Sequence, residues 1–136
     1  MSGLDRQAQI EYVLDHFQHP RNRREMADAD VHVQGGHEGC ADIVTMYLKL
    51  DGERITDVSF TGEGCTISQA SASAMTEIVK GLTASDIEQM DYHVIEDELG
   101  TEVVKTRPLC ATLSLDTLKA AVKEVRNRQM REKAKP

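Results

Sequence analysis

The sequence predicts an α+β domain, a small antiparallel sheet of about three strands with helices packed on one face. Three observations predict it. Apolar residues recur at helical spacing near both ends of the chain and again after Cys65. The stretch from Ile43 to Thr61 alternates in the manner of strands. Asp51-Gly52 interrupts that stretch with a hairpin signal. At 136 residues the chain is read as one domain, residues 1–136, with a single modest core.

Taken in order, Ile10, Val13, Leu14 and Phe17 place a helix over residues 4–18. His19-Pro20-Arg21-Asn22 ends it, because the residue before a proline is pushed out of the helical region. Residues 23–30 are polar and read as loop. Val31 and Val33 alternate with polar neighbours as a short strand, which Gly35-Gly36-His37-Glu38-Gly39 breaks. Ile43 to Leu50 is the next strand, with Val44, Met46, Leu48 and Leu50 on one face. Its partner returns from Arg54 to Thr61, where Ile55 is out of phase with Val58 and Phe60, as a bulge or twist produces.

Helical spacing resumes from Cys65 to Lys80, with Ile67, Ser71, Ala74, Met75 and Ile78 on one side and Gly81 as the stop. Its middle, Ala70-Ser71-Ala72-Ser73-Ala74, is small enough to lie close to a sheet or a partner. Ser85-Asp86-Ile87-Glu88 reads as a capping box opening a short helix to about Met90. A helical turn near Val94–Leu99 and an irregular run into Pro108 follow. The last helix spans about Leu113 to Arg128 on Leu118, Ala121, Val122 and Val125. A basic tail frays from about residue 128. The order is one helix, two or three strands, then three helices.

Composition narrows the function classes. A formal net charge of −7 argues against sequence-independent nucleic-acid binding, which needs excess Lys and Arg facing phosphates. No apolar stretch approaches the roughly 18 residues that span a bilayer. Residues 1–18 lack the apolar core of a signal peptide. Three cysteines cannot all pair within the chain, and none has the close partner of a zinc ribbon. The expected setting is a reducing cytoplasm where the thiols stay free.

Each cysteine stands at a junction between elements. Cys40 precedes a strand, Cys65 begins a helix after Gly62-Glu63-Gly64, and Cys110 follows Arg107-Pro108-Leu109 ahead of the last helix. A thiol at a helix start has its thiolate favoured by the dipole and free N–H groups, which lowers the pKa expected of Cys65 and Cys110. Asp42, two residues after Cys40, points to the same side in an extended segment. Three thiolates and a carboxylate suffice for tetrahedral Zn²⁺ or for the outer positions of a [2Fe–2S] cluster. A buried core is the competing reading, since free cysteine is among the most buried residue types. His37 could approach the same ion, although a loop histidine is more simply solvated, and His16 and His19 read as caps or solvated groups. No Ser–His–Asp arrangement and no phosphate-cradling loop is present.

At these residues the chain resembles the IscU/NifU family of iron–sulfur cluster scaffolds, closest to its SufU-like branch. The likeness runs from about Tyr12 to Val125. It is carried by His19-Pro20-Arg21-Asn22, Gly39-Cys40-Ala41-Asp42, Gly62-Glu63-Gly64-Cys65-Thr66-Ile67-Ser68 and Cys110-Ala111-Thr112-Leu113. Ala41 stands where the family usually has glycine. The resemblance implies Cys40, Asp42, Cys65 and Cys110 as ligands of a transient [2Fe–2S] cluster or of Zn²⁺. It implies a carrier and not a true enzyme, fed with persulfide sulfur by a cysteine desulfurase. Cys40 and Cys110 are the candidate sulfur acceptors. Recipient apoproteins would take the cluster from a monomer or weak homo-oligomer, and the first helix and the basic tail are the candidate docking surfaces.

Three departures qualify it. Leu109 stands where the IscU-type branch has a histidine. The insertion of about twenty residues that the SufU-like branch usually carries before its third cysteine is missing. Residues Val103 to Arg107 do not preserve the Leu-Pro-Pro-Val-Lys stretch by which IscU-type scaffolds bind a dedicated Hsp70 chaperone.

Overall fold

A computed structural model describes residues 6–36 and 42–134. Helix α1 (Arg6–Gln18) leads into β1 (Val31–Gly36), β2 (Ile43–Asp51) and β3 (Arg54–Glu63). Five helices follow: α2 (Thr66–Val79), α3 (Ala84–Gln89), α4 (His93–Leu99), α5 (Thr101–Thr106) and α6 (Pro108–Ala134). The sheet is antiparallel in the order β1-β2-β3, as the alternation predicts. Asp51 pairs with Arg54 across a two-residue turn at Gly52 and Glu53.

The change of phase in β3 has a local cause. Lys49 pairs with Asp57 and Leu50 with Ile55, which leaves Thr56 as an extra residue. Its hydroxyl donates to the Lys49 carbonyl at 3.1 Å. This one-residue bulge returns Ile55, Val58 and Phe60 to the buried side together. They pack there with Val44, Met46 and Leu48 of β2.

Helices α2 and α6 lie against the sheet, and α1 packs on α2. Being enclosed on several sides, α2 is buried around most of its circumference. Ala70, Ser71, Ala72, Ser73 and Ala74 are all inaccessible or nearly so, whereas Ile67 and Ile78 are only partly buried. The one-sided stripe expected for this helix is thereby corrected: small side chains let neighbours approach from several directions. Gly81, the expected stop, has φ +91° just beyond the end of α2.

The helix expected over residues 4–18 is α1, in which the buried positions are Val13 and His16, while Ile10, Leu14 and Phe17 remain about 41–42% exposed. His16 is not a solvated cap: its Nδ1 lies 2.8 Å from Ser73 Oγ, which also accepts the Arg21 N–H at 2.8 Å. Burial, then the nearby Arg21 charge, holds its pKa below the ordinary histidine value. The capping box of α3 begins at Thr83 and not Ser85. Thr83 Oγ accepts from the Asp86 N–H and the Asp86 carboxylate accepts from the Thr83 N–H, at 3.1 and 3.0 Å. Ser85 turns instead to Glu53.

The expected irregular run before Pro108 is largely helix α5. The last helix starts earlier than Leu113, at Pro108, whose missing N–H costs nothing in a first turn. It also continues past Arg128, and the described residues form five helices after the sheet where three were expected. Along α6, Arg126 joins Glu53 on the hairpin turn to Glu88 of α3, and Arg128 reaches the Asp30 carbonyl. No helix among the described residues is long and apolar enough to cross a membrane.

Candidate metal centre

Three chain segments far apart in sequence converge at one end of the sheet. Asp42 immediately precedes β2, Cys65 immediately precedes α2, and Cys110 lies in the first turn of α6. One ligand-capable atom from each lies within 4.8 Å of the others. Asp42 and Cys110 are buried, Cys65 half-buried, and both cysteines are free thiols. Cys40 and His37 lie outside the described residues.

The carboxylate of Asp42 is the hub. Its Oδ1 accepts the Cys65 N–H at 2.7 Å. Its Oδ2 accepts the Cys110 thiol at 2.6 Å and, less closely, the Cys65 thiol at 3.7 Å. Cys65 also caps α2, its sulfur accepting the Ser68 N–H at 3.4 Å. That places the sulfur over the positive end of the helix dipole.

Gly64 makes the convergence sterically possible. Its φ is +147°, and a β-carbon there would fall 2.1 Å from Asp42 Oδ1 and 2.9 Å from Asp42 Cα. Only a residue without a side chain leaves room for the carboxylate against this turn.

The lowered pKa expected of Cys110 is reversed. Burial first, then its hydrogen bond to Asp42 and the proximity of Cys65, push the thiol well above its ordinary value. The buried carboxylate stabilises the protonated thiol and outweighs the helix start. The pair is accordingly held as S–H donor and carboxylate acceptor until something displaces the proton. A thiophilic cation does that, and the set of two sulfurs and one carboxylate oxygen fits zinc or the iron of a cluster.

Of the predicted site residues the structure thus brings Asp42, Cys65 and Cys110 together. His19 is exposed, and His16 is engaged with Ser73. Leu109, beside Cys110, is 59% exposed and offers no ligand atom. Two further features escaped the sequence: the Gly64 turn under Asp42, and a hydrogen-bonded pair, Ser71 and Ser114, behind the thiols. The small-residue run around Ser71 was the available signal for the second.

Comparison with known proteins identifies relatives of the chain. The family model described as NifU-like N terminal domain matches residues 8–132. The iron-sulfur cluster assembly scaffold protein IscU 1 of Archaeoglobus fulgidus is 34% identical over 110 residues, covering 81% of this chain and 71% of its own. The zinc-dependent sulfurtransferase SufU of Bacillus subtilis is 35% identical over 127 residues, covering 81% of this chain and 86% of its own. In fold, the chain matches the N-terminal part of a nitrogen-fixing NifU-like protein from Brucella abortus with a TM-score of 0.75. Identity there is 22%, over 86% of this chain and 93% of that one. Shared motifs, a family model spanning most of the sequence and relatives above 30% identity establish that the chain belongs to the NifU-like N-terminal domain family, together with IscU and SufU.

Proposed function

We propose that the protein is a scaffold on which a [2Fe–2S] cluster is assembled and from which it passes to recipient apoproteins in the cytoplasm. Cys40, Asp42, Cys65 and Cys110 are its ligands in this reading. The observation that carries it is the meeting of Asp42, Cys65 and Cys110 at one largely buried point, in a family whose relatives include a named cluster scaffold.

The chain's own groups supply the acid–base step. Asp42 Oδ2, which already accepts the Cys110 S–H, takes that proton as general base while the sulfur attacks the outer sulfur of a persulfide on a cysteine desulfurase. A new S–S bond forms on Cys110, the old one breaks, and the desulfurase cysteine leaves as thiolate. Cys40 is the alternative acceptor. The cluster, once formed, is cargo: three thiolates hold it firmly, and the single oxygen ligand gives it a weak point for release.

A second reading, a zinc-dependent sulfur acceptor, is favoured by one measurement. Zinc–sulfur bonds of about 2.3 Å put tetrahedral ligand atoms roughly 3.8 Å apart, and a set lying within 4.8 Å is close to the size of a one-ion site.

Two tests separate these. With a desulfurase, cysteine and ferrous iron under anaerobic conditions, the scaffold reading expects a visible cluster spectrum and transfer to an apo-ferredoxin. The zinc reading expects faster desulfurase turnover with zinc bound and no iron present. On the scaffold reading, Asp42→Ala should also lengthen the life of a reconstituted cluster, followed as absorbance decay in chelator. Equal or faster decay would remove the carboxylate from the role of labile ligand.

A further inference from the structure

The thiols of Cys65 and Cys110 sit at the starts of two different helices, and something must fix one helix against the other. Ser71 of α2 donates its hydroxyl proton to the Ala111 carbonyl at 2.7 Å. Ser71 Oγ also lies 3.0 Å from Ser114 Oγ of α6. A serine has one hydroxyl proton. Since that of Ser71 is committed to Ala111, Ser114 is the donor in the second bond. Both hydroxyls are completely buried. Ala111 adjoins Cys110, Ser114 lies about one turn further along α6, and Ser71 stands roughly 9 Å along α2 from Cys65.

We infer that this hydrogen-bonded clasp between α2 and α6 sets the spacing of the Cys65 and Cys110 thiols, so that Ser71 and Ser114 are positioning residues for the site. The inference rests on the metal-binding reading. The clasp joins the helix that Cys65 caps to the first turns of the helix that carries Cys110, so it fixes the separation of the two helix starts whatever the thiols hold.

The test uses the full chain. Phenylarsine oxide, which bridges two nearby thiols without any metal, reports their spacing in a Cys40→Ser background that leaves the two thiols of interest, and zinc affinity is read with Cys40 present, by competition with a chromophoric chelator. The Ser71→Ala/Ser114→Ala double variant removes both hydroxyls and orphans neither, so its melting temperature should stay near that of the parent. Its affinities for arsenical and for zinc should nevertheless fall, zinc by about tenfold, as supporting hydrogen bonds around metal sites usually show. Ser71→Ala alone orphans the Ser114 donor and should lower the melting temperature as well. Ser114→Ala alone keeps the Ser71–Ala111 bond and serves if the double variant fails to fold, with a smaller loss expected. Unchanged arsenical and zinc binding in whichever variant folds would overturn the inference. A parent that binds no zinc, but whose arsenical binding depends on the clasp, would defeat the metal reading and leave the positioning role standing.

Discussion

Gly64→Ala is expected to lose metal and cluster binding by about 10–100-fold, the range seen when the support of a metal ligand is removed. The added methyl would lie 2.1 Å from Asp42 Oδ1 and 2.9 Å from its Cα, so the turn and the carboxylate cannot both keep their places. Turning the backbone away is no escape. The φ of +147° is one that alanine rarely adopts, and relaxing it swings the Cys65 N–H off Asp42. The damage is local, because Gly64 lies between β3 and α2 and outside the buried core. Circular dichroism should therefore remain close to the parent while zinc affinity collapses. Parent-like affinity in a folded Gly64→Ala protein would show that the approach of Asp42 to this turn does not govern the site.

The second large effect concerns the fold. Phe60→Ala should destabilise the protein by about 3–5 kcal/mol, read as a shift in the denaturation midpoint. Phe60 is fully buried on β3 and belongs to the core between the sheet and the helices. The chain has little aromatic content, so few side chains of this volume fill that core. Its backbone is also tied, the Phe60 N–H donating to the Asn22 carbonyl at 2.9 Å and so fastening the segment after α1 to the sheet edge. Against a typical domain stability of about 5–15 kcal/mol the loss is large. A loss below about 1 kcal/mol would mean that the cavity closes by repacking.

How legible the molecule was in its sequence depended on whether a feature is local. The hairpin at Asp51-Gly52, the out-of-phase β3 and the stop at Gly81 are set by residues adjacent in the chain, and each was read from them. The convergence of Asp42, Cys65 and Cys110 is not local, and spacing alone left a buried core as a competing reading. It was the resemblance, resting on three separate motifs, that named them together.

What burial selects was less legible. In α1 the helical period is real, and tertiary packing chooses the Val13–His16 side for burial and leaves Ile10, Leu14 and Phe17 half-exposed. In α2 the buried arc is wider than any apolar stripe, because serines and alanines are buried by fit and by hydrogen bonding rather than by hydrophobicity. At Cys110 the helix start is local and legible, whereas the carboxylate that reverses its effect arrives from a segment 68 residues away.

The most direct test of the central claim is the iron, zinc and acid-labile sulfide content of protein purified without oxygen, taken with its absorption spectrum. Iron with matching sulfide, lost on Cys65→Ser, is the result the scaffold account predicts. One zinc per chain without sulfide, unchanged when iron and a sulfur source are supplied, would contradict it in favour of the sulfur-acceptor reading. Neither metal, in folded and reduced protein, would contradict the shared site itself.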